Sequence, residues 1–410
     1  MLKFFERLPL AIVFGALCAG LVLLTPVLSI PMFHQKLAAL DAPPLEGIDI
    51  KWREPEKSVP LAIRESGASL ASVMDGSFQK GMEYLVEAVF PFRAAIVRAT
   101  NQVYYSLFAR SYMYNNWIVI GKRQYLYEIG YINHQCNMQR EKHTQKEFDQ
   151  WAKSIEELSD LFARRGQTFL FVLTPSKAAY FPEYIPDKFG CSEQSPRPEY
   201  FLATAALQRT HVPFVDLSKL VIDAKDKYPL QLFNRGSTHW TMLAVTLSAR
   251  EIAARISAQG KWRLPEVRFS YSVDNHPSGN DTDLLDLLNL WSPNRNYPVA
   301  RVSFERQPPR TPAPRIAIVS GSFLRQMFYA LRDTNMFESI DYYFYMGIEH
   351  IRHPALSGPP LKPDTAEYYR ELLAADIVIL EENAGNLGAP HVGMLEDVMA
   401  KYAGHTAVAK

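Results

Sequence analysis

The 410-residue sequence holds only three cysteines, Cys18, Cys136 and Cys191. None stands in CxxC spacing or beside a histidine at metal spacing, which argues against a zinc cage. There is no HExxH helix, and the ten histidines include no pair with clear metal spacing. Neither a GxxxxGK[ST] loop nor a GxGxxG loop is present, so no phosphate-cradling turn for a nucleotide is expected. An excess of one charge is missing too, since 44 basic residues meet 43 acidic ones. Nucleic-acid binding would need a clustered basic surplus. No internal repeat or low-complexity tract stands out. Metal, nucleotide cofactor and nucleic acid are therefore all left out of the expected function. The composition that remains is globular, 48% hydrophobic and 12% aromatic, enough for a large core.

Long apolar runs are also scarce: one is present, LPLAIVFGALCAGLVLLTPVLSI over residues 8–30. About 23 residues at about 1.5 Å each span about 35 Å, sufficient for a bilayer core. Lys3 and Arg7 before it favour a cytoplasmic N-terminus by the positive-inside rule. A cleaved signal peptide is the rival, but its apolar region is shorter and ends in an A-x-A-like site that this run lacks. Bulky Leu17 before Cys18 makes a lipoprotein site poor. The expectation is an N-terminal signal anchor over residues 1–33, with the rest of the chain in the periplasm, held to the inner membrane. In that compartment Cys136 and Cys191 either form a disulfide or remain two unrelated thiols.

Residues 34–114 contain Pro-rich pieces and helical stretches at Phe78–Val89 and Ala94–Phe108, and read as a stalk or packing region. Trp117–Ile120 and Tyr125–Tyr127 flank Gly121-Lys122 as a hairpin. From Glu141 onward helices and strands alternate. Phe148, Trp151, Ile155, Leu158 and Phe162 share one helix face, and Gly166 supplies a C-cap. Thr168–Thr174 is a continuous apolar strand of the buried parallel type. A helix near Glu199–Arg209, the short strand VPFVDL and a helix from Trp240 to Ile256 follow. After the Pro-rich Gln307–Pro314 come a strand at Arg315–Ser320, a helix from Leu324 and the strand candidate IDYYFYM. Asp364 and Glu367 have capping-box spacing for the next helix. Ala375–Leu380 is a strand, and His391–Tyr402 a closing helix. This alternation predicts a three-layer α/β domain with a mostly parallel sheet over residues 115–410.

Two turns carry candidate chemistry. Ser320-Gly321-Ser322-Phe323 lies between an apolar strand and a helix, where a serine hydroxyl is exposed and free backbone N–H groups face outward. Ser237-Thr238-His239-Trp240 lies just before another helix. Each is weak alone, because Ser and Gly are ordinary turn residues and a lone His before a helix usually caps it or faces solvent.

Together they resemble the SGNH-hydrolase-like domain of the alginate O-acetyltransferases of the AlgJ/AlgX type. In that family a D-T-H-W motif precedes a helix and a later G-D-S-F turn follows an apolar strand. Here STHW and SGSF stand in the same order. GKRQYLYEIG, FLFVLTPSKAAYFPEYIP (Phe169–Pro186) and SGNDTDLLDLLNL match further family segments, so the resemblance covers roughly residues 115–400. It implies a flavodoxin-like fold and acetyl transfer to hydroxyls of a secreted polysaccharide such as alginate. It also implies a membrane-bound O-acyltransferase partner as acetyl supplier. Ser322 would be the nucleophile, His239 the base, and the Ser322 N–H the oxyanion donor.

One departure bears on the chemistry. The family's Asp two residues before the His is Ser237 here, and the Asp of G-D-S-F is Gly321. Ser237 would then accept from His239 Nδ1, with a bond roughly half as strong as a charged one. The alternatives are a carboxylate from elsewhere (Asp283, Glu381 or Glu382), or an inactive domain that binds or assembles exopolysaccharide. A plain carbohydrate acetyl esterase shares the acyl-enzyme and is a further alternative. Lys177 and the Tyr-rich strand Tyr342–Tyr345 offer the lining of a sugar groove, but Lys177 reads more readily as a solvated loop residue and the tyrosines as sheet packing.

Overall fold

The computed structural model describes residues 74–75, 93–111, 117–136, 143–191, 198–308, 312–344, 349–354, 361 and 365–387. The expected anchor at 1–33, the stretch Phe78–Val89 and the closing helix His391–Tyr402 lie outside the described residues. Among the described residues no helix is long and apolar enough to cross a membrane. The chain divides into two compact units, Met1–Phe108 with Asp286–Pro293 and Ala109–Leu285 with Asn294–Lys410. The first contains helix α1 (Arg93–Phe108), where Asn101 Nδ2 donates to Leu288 O at 2.9 Å.

The second unit opens with an antiparallel pair, β1 (Ile118–Ile120) and β2 (Leu126–Glu128), then helix α2 (Ile129–Gln135). Helix α3 (Gln145–Arg164) leads into β3 (Thr168–Thr174), the one-turn α4 (Lys177–Tyr180), α5 (Pro198–Gln208), β4 (Phe214–Asp216) and α6 (Leu217–Asp223). Next come α7 (Met242–Ala258), β5 (Phe269–Asp274), the short α8 (Asp283–Leu287) and β6 (Val299–Phe304). The last stretch holds β7 (Arg315–Ser320), α9 (Ser322–Thr334), β8 (Ser339–Phe344), β9 (His350–His353), α10 (Ala366–Leu373) and β10 (Ile377–Asn383).

The main sheet has the order β4-β3-β10-β7-β8-β9. It is mixed: β9 joins antiparallel at one edge, while the other pairings are parallel. Counted from β7, with β3 and β4 placed after β10, the parallel strands take the flavodoxin-like order 2-1-3-4-5. Alternating side chains build the two outer layers. Leu170, Val172, Ile316, Ile318, Ile377 and Ile379 pack against α6, α7 and α9. Phe169, Phe171, Leu173, Val319, Val378 and Leu380 pack against α3, α5 and α10. Burial on both faces is why these strands read as unbroken apolar runs.

Several boundaries differ from expectation for local reasons. Helix α3 starts at Gln145 because Thr144 and Glu147 form a capping box. Helix α7 starts at Met242, since Thr241 accepts the Ala244 N–H as N-cap, and Trp240 instead bridges Phe233. Helix α9 starts earlier, directly at Ser322. Thr365 caps α10 by accepting the Tyr368 N–H, so position N3 is Tyr368 and not Glu367, and Asp364 lies outside the described residues. Cys136 and Cys191 are joined in a disulfide, Cα–Cα 4.9 Å, tying the end of α2 to the segment after β3.

Candidate active site

In sheets of this order, ligands bind beyond the carboxyl ends of the strands, at the point where strand order reverses. Here that point lies between β7 and β10, and Ser322 sits just past the end of β7. Gly321 is the extended N-cap residue of α9, so Ser322 is the first residue of the helix and its N–H has no partner within it. The side chain is exposed.

His239 arrives on the loop between α6 and α7. The Phe233–Trp240 bridge and a Thr241 N–H to Leu232 O bond of 2.9 Å close this loop on itself. Trp240 Nε1 donates to Phe323 O at 3.2 Å, which ties the loop to the start of α9. His239 Nε2 lies 2.9 Å from Ser322 Oγ. The two turns singled out in the sequence thus converge, 83 residues apart in the chain.

The other ring nitrogen corrects the expectation for Ser237. His239 Nδ1 faces Asp283 Oδ2 at 2.5 Å, not Ser237. The physical reason is the small size and turn geometry of Ser237. Its Oγ accepts the His239 backbone N–H at 2.9 Å and lies 3.3 Å from Asp283 Oδ2, so the side chain folds back on its own turn. Asp283 is held in place from its other oxygen. Oδ1 accepts the N–H groups of Thr238 at 2.8 Å and Leu284 at 2.6 Å. The two loops are also joined through the backbone, Leu285 N–H to Gly236 O at 2.9 Å. A Cβ on Gly236 would stand 2.5 Å from Tyr297 Oη and 3.2 Å from Leu285 Cβ, so only glycine admits this approach. The remaining carboxylates do other things. Glu381 bonds the Gly321 N–H, and Glu382 accepts Trp151 Nε1 at 3.1 Å.

Lys177 is also corrected: it is buried, not solvated. Its ammonium donates to Arg235 O at 2.9 Å and Ser237 O at 2.6 Å, with the rings of Tyr125 and Tyr127 within 5.6 Å and 5.3 Å. Those carbonyls and rings come from distant segments, which a loop lysine does not advertise in sequence. Burial pulls the Lys177 pKa well below the ordinary lysine range, with Asp283 pulling it partly back. Glu128, beside Thr238 and His239, is raised by burial and, less strongly, by the charge of Asp283. Asp281, bonded to Asn234 and Arg301, is pushed up to about 6 by burial.

The Ser320–Ser322 turn is held from both sides. Glu381, fully buried, accepts the Gly321 N–H at 2.8 Å and bonds the Thr174 hydroxyl. Burial with no cation beside it pushes its pKa up to about 7. Tyr342, expected chiefly to pack in the sheet, donates its hydroxyl to Gly321 O at 3.0 Å. Among the described residues no group of three His, Cys, Asp or Glu is placed to hold a metal ion. The arrangement is a carboxylate, an imidazole and a hydroxyl in series, with a free helix-start N–H beside the hydroxyl. Chemically, such a series can move an acyl group through a serine ester.

The family model for ALGX, an SGNH hydrolase-like domain of acetyltransferase AlgX, matches residues 118–325, a little over half of the chain. The probable alginate O-acetylase AlgJ of Pseudomonas syringae pv. tomato is 25% identical over 229 residues, 55% of either chain. This chain therefore spans about half the length of that relative. The O-acetyltransferase domain of Pseudomonas putida AlgJ aligns at a TM-score of 0.44 and 17% identity, covering 68% of this chain and 98% of that one. Pseudomonas aeruginosa AlgX aligns at 0.44 and 15%, covering 68% and 67%.

Proposed function

Since the chain belongs to the AlgX family of SGNH hydrolase-like acetyltransferase domains, we propose that it transfers acetyl groups to hydroxyls of an alginate-like exopolysaccharide. The observation that carries this reading is the unbroken series Asp283–His239–Ser322, at 2.5 Å and 2.9 Å. It favours a catalytic subunit over a purely binding one, because a binding role needs no aligned imidazole.

In the first half-reaction Ser322 Oγ attacks the acetyl carbonyl carbon while its proton passes to His239 Nε2. The carbonyl electrons move onto oxygen, where the Ser322 N–H meets them. Collapse expels the donor's leaving atom, which takes the proton from His239, and acetyl-Ser322 remains. In the second half His239 removes the proton of a sugar hydroxyl, and the resulting oxygen attacks the ester. Ser322 leaves and recovers the proton. Asp283 holds the Nδ1–H tautomer and stabilises the imidazolium formed in each half.

A periplasmic site, anchored to the inner membrane and supplied with acetyl groups by a membrane-bound O-acyltransferase, completes the proposal. The Cys136–Cys191 bridge supports an oxidising compartment, and the apolar run at 8–30 supports an anchor. The test is acetyl transfer from p-nitrophenyl acetate to alginate oligosaccharides, with Ser322→Ala and His239→Ala beside the parent. Loss of both transfer and acetyl-serine in the variants is expected. Unchanged transfer in either variant would remove the Ser–His mechanism, and hydrolysis without transfer would make the protein an esterase.

A further inference from the structure

The peptide bond between Gly321 and Ser322 carries the N–H assigned to the oxyanion, and its carbonyl end meets two hydroxyls. Tyr342 Oη and Ser320 Oγ each lie 3.0 Å from Gly321 O. Both side chains are completely buried. Tyr342 reaches this point from β8, the strand paired with β7, whose last residue is Ser320. The Tyr342 ring packs beside Phe328, a task that phenylalanine would perform equally, so the hydroxyl is what distinguishes this residue. A proton donated to an amide oxygen draws electron density away from nitrogen and makes the N–H a stronger donor.

We propose that Tyr342 and Ser320 are positioning residues that polarise the Gly321–Ser322 peptide and so strengthen its N–H toward the oxyanion. The inference rests on the Ser–His reading above. One oxyanion donor is worth about 10²- to 10³-fold in turnover. Cooperative strengthening of about 10–30% per bond then corresponds to roughly two- to eightfold for each hydroxyl.

The experiment uses the full chain with p-nitrophenyl acetate and its thiono analogue, whose sulfur is a poor hydrogen-bond acceptor. Tyr342→Phe and Ser320→Ala should lower kcat on the oxo ester about two- to eightfold with KM unchanged, while the thiono ester loses less than about 1.5-fold. The ratio of the two esters within one variant cancels any change in folded fraction. Equal losses on both esters, or no loss for Tyr342→Phe, would overturn the inference. Should Ser322→Ala hydrolyse the oxo ester as fast as the parent, the underlying Ser–His reading fails and this inference with it. An inert Ser322→Ala beside an unaffected Tyr342→Phe removes the inference alone.

Discussion

Asp283→Asn is the sharpest perturbation of the site, because the surrounding bonds dictate which way the amide must turn. Thr238 and Leu284 both donate N–H groups to Oδ1 at 2.8 Å and 2.6 Å. The amide oxygen of asparagine therefore takes that position, and its NH2 faces His239 Nδ1. Nδ1 must then accept, which moves the ring proton to Nε2, the atom 2.9 Å from Ser322 Oγ. A protonated Nε2 cannot take the serine proton. The equivalent change in another serine triad costs about 10⁴ in turnover, or about 5.5 kcal/mol of barrier. The same loss is expected here, measured as kcat on p-nitrophenyl acetate, with the fold checked by circular dichroism. Ser237→Asp alone should lower turnover, since it sets a second carboxylate where Ser237 Oγ now lies 3.3 Å from Asp283 Oδ2. In the Asp283→Asn background the same change should recover at least about tenfold, by supplying an acceptor for Nδ1–H. A loss of less than about tenfold in Asp283→Asn would refute the assignment of the orienting carboxylate.

Gly236→Ala should cut kcat by about ten- to a hundredfold with little change in the far-ultraviolet spectrum, because the new Cβ meets Tyr297 Oη at 2.5 Å and displaces the Asp283 loop. An unchanged kcat would show that the two loops tolerate separation. Replacing Cys136 and Cys191 by serine opens a loop of 55 residues and should cost about 4 kcal/mol in chemical denaturation; an unchanged midpoint would contradict this. Glu381→Gln keeps an oxygen for the Gly321 N–H and removes a buried charge. The Glu381 pKa is raised in the fold, from 4.5 to about 7, so its stability contribution is full below about 4.5 and is lost as pH rises through about 7. The variant should match the parent near pH 4.5 and exceed it by about 3 kcal/mol above pH 8. A gap in stability that stays constant from pH 4.5 to 8.5 would show that Glu381 does not titrate in this range.

What the sequence revealed depends on how local the signal was. β3, β7 and β10 were legible because burial on both faces leaves runs such as TFLFVLT and RIAIVS without a polar break. Helix α3 was legible from five apolar residues at steps of three and four. β5 and β6 were missed because they form a separate ribbon with many exposed positions, and FSYSVD carries too little apolar character to announce a strand. Ser322 and His239 could be read because STHW and SGSF, each weak alone, together resemble family motifs in the same order. Asp283 was only one of three carboxylates in view. It lies 44 residues beyond His239, and no spacing rule connects the two. Lys177 was misread for the same cause, since its partners arrive from the hairpin and from the histidine loop. A carboxylate two residues before the histidine is placed by one turn, whereas Asp283 is placed by bonds between two loops. Those bonds are the Thr238 and Leu285 N–H contacts, the close approach at Gly236 and the Lys177 grip on Arg235 and Ser237. With serine at 237 the imidazole still has a carboxylate partner, but that partner's position is a property of tertiary packing instead of local sequence. Substitutions at Gly236 and Lys177, neither of which touches the reacting atoms, should consequently act on turnover through the Asp283–His239 distance.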